Sequence, residues 1–245
     1  MSGPSLEEVT QRTLAVLQPG YLPWLGFFDQ LRSADVFLYY DDVQFDKHGW
    51  RNRNRIKSPQ GPSWLTVPVR HSGQGLPRIL DVEIDRRIPW ARKHVGSIQQ
   101  YYGRAPYLRE YLPQLAELVN RPWELLVDLD LAVTQLMAGW LGVPVQAARR
   151  ASELTVTGAR SERLLGLCKL VGANRYLSGA AARSYLDVPL FERHGISVSW
   201  QHYRHPVYPQ LHGEFISHLS AIDLIFNCGA ESGEILKQRW GDDAR

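Results

Sequence analysis

Apolar and polar positions in the first part of the chain follow the pattern of a strand, a turn, a helix and a second strand. An apolar run over 14–17 is broken by a turn at 18–20, and an amphipathic segment over 24–31 leads to a second apolar run over 36–40. This order is typical of a βαβ unit with parallel strands. Because ligands of such units bind outside the carboxyl ends of the strands, we expect polar residues after both strands to form a site.

The middle of the chain has the spacing of helices. Strands are predicted first over 63–69, where Pro68 limits the strand, and over 79–84, where apolar and acidic residues alternate. Three helical segments then fill 89–142, each opened by a proline, and Gly142 fits a C-terminal cap. We interpret this part as a helical insert.

A second α/β alternation fills the C-terminal part of the chain. Ser161 and Ser220 are predicted N-caps of two of its helices. The predicted strands are 145–151, 175–177 and 196–200, and the predicted helices are 162–171, 180–185, 221–226 and 232–240. We therefore predict a Rossmann-like α/β fold with a mainly parallel sheet. Residues 13–245 would form a single domain with a helical insert near 89–142, preceded by a frayed N-terminus at 1–12.

Composition is that of an ordinary globular protein and excludes several classes. The formal net charge of +3 argues against general nucleic-acid binding as the main role. Two cysteines give neither a disulfide framework nor a zinc site, and we expect no metal ligands. No apolar run has the length of a membrane span and no signal peptide opens the chain, so a cytoplasmic location is expected.

A basic segment over 47–57 is the first candidate for chemistry. It combines arginines and lysines with two asparagines, a histidine and a tryptophan. Guanidinium groups bind carboxylate or phosphate through paired hydrogen bonds, and tryptophan stacks on rings or cations. A solvated basic loop is the alternative, but it does not explain why asparagine alternates with arginine. We predict a site for an anionic small molecule.

The strand ends and the basic segment together predict one cleft. We expect Arg51 or Arg53 to orient an anionic group and Asp41 or His205 to handle an amine proton as catalytic residues. For the Asp41-Asp42 pair, a metal that bridges phosphates, an amine and a plain loop cap remain open. The expected substrate-binding residues are Gln18, Tyr21, Trp24, Gln44, Trp50, Asn52, Ser178, Arg183, Tyr208 and Gln210.

Three further residues have simpler interpretations. Cys168 lies among leucines and is expected in the core, whereas Cys228 lies at a predicted helix end, and its exposure and reactivity stay open. Asp223 is acidic among apolar residues, so its carboxylate should be paired, and an arginine of the basic segment is a candidate partner.

The motifs of the chain resemble those of the WbqC-like proteins. The stretch QPGYLPWLGFFDQLRSADVFLYYDDVQFDKHGWRNRNRIK is followed in the same order by SWLTVPV, YLSGAAARSYLD, HPVYPQLHGEF and LSAIDLIFNCG. Members of that family occur in O-antigen and related biosynthetic gene clusters, and the resemblance implies the transfer of glycine or another aminoacyl group onto amino sugars. The opening also resembles nucleotidylyltransferases such as pantothenate synthetases. At the positions of their signature histidines this chain has Pro23-Trp24-Leu25-Gly26, which puts that chemistry in doubt.

Three functions follow as hypotheses. The first is a transferase or ligase that joins a small acyl or aminoacyl group to an amine of an amino sugar or secondary metabolite. The second is an adenylate-forming or nucleotidyl-transferring enzyme, and the third is a non-catalytic binding protein for a pathway intermediate. The partner is expected to be a small molecule, with a charged tRNA or a carrier protein as candidate donor. The cofactor stays open, and ATP with magnesium is a candidate.

Overall fold

The computed structural model of the chain describes residues 10–70, 77–145 and 148–238. The strands are β1 (Thr13–Leu17), β2 (Val36–Tyr39), β3 (Arg53–Ser58), β4 (Gly61–Thr66), β5 (Ala148–Arg150), β6 (Arg175–Ser178) and β7 (Ser197–Trp200). The α-helices are α1 (Leu25–Arg32), α2 (Trp90–Tyr102), α3 (Leu108–Val119), α4 (Leu126–Trp140), α5 (Arg160–Leu170), α6 (Val188–Glu192), α7 (Ile222–Cys228) and α8 (Ser232–Lys237).

Five parallel strands form the central sheet in the order β5-β2-β1-β6-β7. The predicted Rossmann-like α/β fold with a mainly parallel sheet is therefore confirmed. In this order β2 lies on one side of β1, and β6 lies on the other side. The order of connection thus reverses between β1 and β6, and such a reversal opens a crevice at the carboxyl ends of the two strands.

Helices cover both faces of the sheet because its strands are apolar on both faces. Ala15 and Phe37 pair in register and belong to a core shared with α1 to α4, α7 and α8. Leu14 and Val36, one position earlier, belong to a second core with α5 and α6. Alternation along each strand therefore separates the two cores.

The basic segment ends in an antiparallel hairpin of β3 and β4, where a loop had been an alternative. Along β3 the side chains alternate between the two faces of the hairpin. Asn54 is buried, whereas Arg53 and Arg55 are partly exposed, and Arg55 pairs with Trp64 across the hairpin. The alternation of asparagine with arginine is thus the period of a strand.

Two predicted elements in the middle of the chain have different forms. The strand predicted over 79–84 is a 3₁₀ turn at Ile79–Asp81, followed by isolated bridges from Glu83 and Ile84. Its alternating pattern is explained by burial of Ile79, Val82 and Ile84, without a ladder of strand hydrogen bonds. The three predicted helices are present as α2, α3 and α4. Gly142 follows α4 with a φ of 62°, as predicted for a C-terminal cap.

Corrections in the C-terminal part concern element ends. The Oγ of Ser161 does not cap α5; it accepts a hydrogen bond from the backbone N–H of Asp187. The N-cap of α7 is Ala221 and not the predicted Ser220, whose Oγ accepts from the N–H of Ile222 at 3.4 Å. The helix predicted over 180–185 is a 3₁₀ turn, Ala180–Ser184. Three predicted segments lie partly or mainly outside the described residues: the N-terminus at 1–12, the start of the strand over 145–151 and the end of the helix over 232–240.

Residues 201–219 connect β7 to α7 without regular secondary structure. A segment of this length inside a compact protein needs specific contacts to hold it in place. None of the helices in the three described ranges is both long enough and apolar enough to cross a membrane.

Candidate functional site

A cavity of about 800 Å³ lies in the crevice between the carboxyl ends of β1 and β6. Gln18 and Gly20 line it from the turn after β1, and Ser178 and Gly179 line it from the end of β6. The start of α1, the beginning of α5, the hairpin and the segment before α7 complete the wall. The cavity therefore lies at the position where parallel α/β sheets bind their ligands.

The charged groups of the cavity wall are cationic. Arg51, Arg55 and Arg160 line it, together with His218. Among the described residues that line it there is no aspartate or glutamate. Arg160 has a positive φ of 51°, an uncommon backbone conformation for a residue other than glycine. A wall of this composition favours a carboxylate or phosphate group on the ligand.

Arg51 connects the hairpin to the turn after β1. Its Nη1 donates to the carbonyl oxygens of Gln18 at 2.9 Å and Pro19 at 3.0 Å, and its own carbonyl accepts from the N–H of Tyr21 at 2.9 Å. Burial lowers the pKa of Arg51, while the charge of Asp130 acts in the opposite direction. Because Nη1 is engaged by two backbone carbonyls, Arg51 shapes the cavity wall.

Close approach of backbone explains a glycine in this turn. A Cβ built on Gly20 would lie 2.6 Å from the carbonyl oxygen of Trp50. Real Cβ atoms essentially never come that near to backbone, so glycine is required for the turn to pack against the hairpin.

An aromatic wall closes one side of the cavity. The ring of Trp24 stacks on His218 with centroids 5.2 Å apart and meets Tyr203 edge-on at 5.1 Å. Trp24 also folds over Gly26, where an added Cβ would fall 2.2 Å from the indole. Residues from the start of α1 and from the segment before α7 are thereby held together.

His218 is the histidine among the described residues that line the cavity. Its Nδ1 lies 2.7 Å from the Oγ of Ser217, and its φ of 60° is again in the left-handed region. Burial lowers the pKa of His218, and the nearby charge of Arg55 lowers it further. The imidazole is therefore neutral at pH 7 and able to accept a proton.

The sequence predicts His205 as a site residue, but the histidine that lines the cavity is His218. The two rings are 5.0 Å apart, but His205 is not among the residues that line the cavity, and its Nδ1 lies 2.9 Å from the carbonyl oxygen of Pro206. Burial lowers the pKa of His205 as well. Both histidines occur in the same irregular segment, so no local pattern distinguishes the one that reaches the cavity.

Six of the predicted site residues line the cavity together. They are Gln18, Tyr21, Trp24, Trp50, Arg51 and Ser178. Of these, Tyr21 directs its hydroxyl away from the cavity, to the Nδ1 of His94 at 3.1 Å.

The acidic pair after β2 lies away from the cavity. Asp41 is fully buried, accepts from Arg150 Nε at 2.6 Å and also accepts from the N–H and hydroxyl of Ser152. Asp42 forms an ion pair with Arg163. These contacts join the end of β2 to β5, to the 3₁₀ turn Ala151–Glu153 and to α5.

The remaining candidates from the first half of the chain also lie elsewhere. Gln44 is exposed and bridges to Arg78, and Asn52 donates through Nδ2 to the carbonyl of Val67 at 2.8 Å. Arg53 lies on the outer face of the hairpin over Trp64. From the second half, Arg183 stacks on Trp200 with its Cζ 5.2 Å from the ring.

Tyr208 and Gln210 belong to a buried network around Asp223. The carboxylate accepts from the Tyr102 hydroxyl at 2.7 Å, the Tyr208 hydroxyl at 2.9 Å and Gln210 Nε2 at 2.7 Å. Burial raises the pKa of Asp223, and these hydrogen bonds oppose the rise. The predicted arginine partner is wrong, since neutral donors take its place. The Lys57 ammonium contributes only through its charge, because it donates to the Gln210 Oε1 and to backbone carbonyls.

Both cysteines are buried, which confirms the core position of Cys168 and answers the open question of whether Cys228 is exposed. Burial raises the pKa of the Cys168 thiol to about 12 and that of Cys228 to about 11. Thiols with such values are poor nucleophiles near neutral pH. Within the described residues, no group of three His, Cys, Asp or Glu side chains is arranged to hold a metal.

The sheet and its crevice define an α/β protein with a cationic cavity at the switch point of a parallel sheet. The chain belongs to the WbqC-like protein family, whose model matches residues 18–235. It is 35% identical over 228 residues to a protein of Mycobacterium tuberculosis described as uncharacterized protein Rv1507c. That match covers 92% of this chain and 98% of the relative. No solved structure gives a significant match.

Proposed function

We propose that the protein is a transferase or ligase that joins a small acyl or aminoacyl group, glycine in the first place, to an amine of an amino sugar or secondary metabolite. The observation that supports this proposal is the combination of Arg55, Arg160 and a neutral His218 on the wall of one cavity. Amide formation needs an anchor for anionic groups and a base for the amine, and this wall offers both.

In the proposed reaction the amine nitrogen attacks the acyl carbon and forms the new C–N bond. The bond from that carbon to its leaving group breaks, and the leaving group departs with the bonding electrons. His218 takes the proton that the nitrogen loses, while Arg55 and Arg160 hold carboxylate or phosphate groups of the substrates. The aromatic wall of Trp24 and Tyr203 would exclude water and reduce hydrolysis of the activated acyl group.

The source of the acyl group belongs to the same proposal. A charged tRNA or a carrier-protein thioester would bring it already activated, whereas a free acid would need ATP with magnesium. Charged tRNA, carrier-protein thioesters and ATP are all cytoplasmic, and we therefore propose the cytoplasm as the location. Donors can be distinguished by supplying each one separately with the same panel of amines.

The experiment is a transfer assay read by mass spectrometry, with amino sugars as acceptors and glycine supplied as each type of donor. We expect a product one glycyl residue heavier, and we expect His218→Ala to lower kcat by about a hundredfold or more, the usual contribution of a general base. Arg160→Gln should mainly raise KM. His194→Ala, which changes an exposed histidine after α6, is the matched control. Product formation that is insensitive to His218→Ala would exclude the proposed base.

A nucleotidyl-transferring or adenylate-forming enzyme is the second candidate, favoured by one observation. Nucleotidylyltransferases have their signature histidines at the start of the first helix. Here the ring of His218, from the C-terminal part of the chain, stacks on Trp24 and so places a histidine beside the start of α1. Release of pyrophosphate without an amide product would support this candidate. Ligand binding without any turnover would support a binding protein.

A further inference from the structure

Two tryptophans form an exposed aromatic surface on the outer face of the hairpin. Trp50 and Trp64 are 43% and 45% exposed, and their ring centroids are 5.1 Å apart with a tilt of 35°. The other tryptophans in the described part of the chain are less exposed. Two adjacent indoles left open to solvent are a costly surface unless a ligand covers them.

Arginines from β3 lie over both rings. The Cζ of Arg53 is 4.5 Å from the centre of the Trp64 ring, and that of Arg55 is 5.3 Å from the Trp50 ring. Arg53 otherwise donates to the carbonyl oxygens of His48 and Gly49. None of the ion pairs among the described residues involves Arg53 or Arg55. The positive charge on this surface is therefore not neutralised by a carboxylate.

The surface is continuous with the cavity. Trp50 and Arg55 line the cavity wall as well as the hairpin face. A ligand that covers the two indoles can therefore extend directly into the crevice between β1 and β6. We call Trp50, Trp64, Arg53 and Arg55 the hairpin platform.

We propose that the hairpin platform binds the nucleoside diphosphate end of a nucleotide-linked substrate. The base would stack on the indoles, the arginines would bind the phosphates, and the remainder of the substrate would enter the cavity. In the terms of the proposed function, on which this part rests, the acceptor sugar would be carried on a nucleotide. The two guanidinium groups match the two phosphates of a diphosphate in number, and the two adjacent indoles offer aromatic surface for one base. Inorganic phosphate alone would not require the tryptophans.

The test is isothermal titration of the full chain with UDP and with ADP at low ionic strength. Inorganic pyrophosphate and uridine are titrated in parallel, so that phosphate and base are measured separately. We expect a nucleoside diphosphate to bind more tightly than either fragment. Trp64→Ala should weaken it about tenfold or more, as expected for the loss of a stacking side chain, while Trp64→Phe should retain most of the affinity. Arg53→Ala should weaken the diphosphate but change uridine little.

Arg109→Ala, on the exposed surface of α3, is the matched charge control and should leave every affinity unchanged. Melting temperatures of all variants show whether a loss of binding reflects unfolding. Equal affinity for pyrophosphate and nucleoside diphosphate, with no effect of Trp64→Ala, would overturn the platform. Binding of a short single-stranded RNA about a hundredfold more tightly than ADP would overturn it too, in favour of a nucleic-acid surface.

Failure of this proposal and failure of the proposed function give different results. If glycyl transfer occurs with free amino sugars while neither nucleotide binds, the platform is wrong and the transferase stands. If a nucleotide binds as described but no donor yields an amide, the transferase is wrong and the platform stands.

Discussion

Several ionisable side chains of this protein are buried without an opposite charge in hydrogen-bonding contact. His94 contacts the Tyr21 hydroxyl and the Trp90 ring, and Asp223 is surrounded by neutral donors. Both carboxylate oxygens of Asp130 lack a hydrogen-bond partner within the described structure, and burial raises the pKa of Asp130 well above its usual range. Burial disfavours the charged form of each group, so folding shifts their protonation and makes stability depend on pH.

His94 gives a prediction with a defined sign. Burial lowers the pKa of His94 from 6.5 to about 4. Because the unfolded chain takes up this proton more readily, the stabilisation is complete above pH 6.5 and is lost as the pH falls towards 4. The loss should reach about 3 kcal/mol, from 1.36 kcal/mol per pKa unit. Urea unfolding of the wild type and of His94→Gln at pH 7, 5 and 4 measures it.

The difference between the two proteins isolates His94 from other groups that titrate in the same range, such as His205 and His218. The unfolding free energy of the wild type should fall more steeply with acid than that of His94→Gln. Parallel pH profiles would show that His94 is already protonated, or already solvated, in the folded protein.

Residues of the cavity wall could be predicted where the chain itself sets their position. Gln18 and Tyr21 reach the cavity because they follow a buried parallel strand. The ion pair that holds Asp41 away from the cavity could not be predicted, since its partner Arg150 lies 109 positions further along the chain. The position of His218 depends in the same way on Trp24, at the opposite end of the chain. Contacts between distant segments leave no local pattern to read.

At the scale of elements, the hairpin and the residues just before it form the side of the cavity that packs against the turn after β1. Its first strand alternates buried asparagine with half-exposed arginine, so one face faces the protein and the other forms the platform. Asn54 donates through Nδ2 to the carbonyl of Leu22 at 2.7 Å, and Arg51 donates to the turn at 18–19. The period of two was visible in the sequence, but the density of charge there suggested a loop.

Substitution of Gly20 by alanine tests this junction. The new Cβ would meet the carbonyl oxygen of Trp50 at 2.6 Å, so the turn after β1 and the hairpin must separate. We expect a loss of about 1–3 kcal/mol in the free energy of unfolding, typical of overpacking. Weaker binding of ligands that contact Trp50 or Arg51 should accompany it. Urea denaturation and titration calorimetry measure the two effects.

Gly96→Ala is the matched control for that substitution. Gly96 lies on the exposed side of α2, where a Cβ meets no atom within 4 Å. Alanine should stabilise this helix by up to about 1 kcal/mol and leave ligand binding unchanged. If Gly20→Ala behaved like the control, the close approach of turn and hairpin would not be a requirement of the fold.

At the scale of the whole molecule, apolar periodicity predicted the architecture well. The buried runs of β1 and β2 and the amphipathic helix between them specified parallel strands, and the five-stranded sheet follows that rule. Periodicity could not predict how residues 201–219 are held, because side-chain hydrogen bonds and ring contacts to distant segments hold them. Gln210 illustrates the point, since it accepts from Lys57 and from the N–H of Ile216 while it donates to Asp223.

The sheet, the hairpin and the helices of the middle segment share one apolar core, on which a prediction about cooperativity rests. Ala15, Ile56, Leu129 and Phe226 come from different parts of the chain and belong to the same cluster of buried residues. Tyr102 connects them further, since its hydroxyl donates to Asp223 and accepts from the backbone N–H of Lys57 at 2.8 Å. We propose that residues 13–245 form one domain that unfolds as a unit, with the helical insert included.

Urea unfolding followed by far-ultraviolet circular dichroism and by tryptophan fluorescence should then give coincident single transitions. Tyr102→Phe removes one donor from Asp223 and leaves the buried N–H of Lys57 without an acceptor. It should therefore lower the free energy of unfolding by about 1–3 kcal/mol. Tyr101→Phe, one position earlier and half-buried, is the matched control and should change little. Because the lost contacts join α2 to the hairpin and to α7, both probes should shift together. A separate early transition in circular dichroism, with the fluorescence transition unmoved by Tyr102→Phe, would mean that the helices of 89–142 fold independently of the sheet.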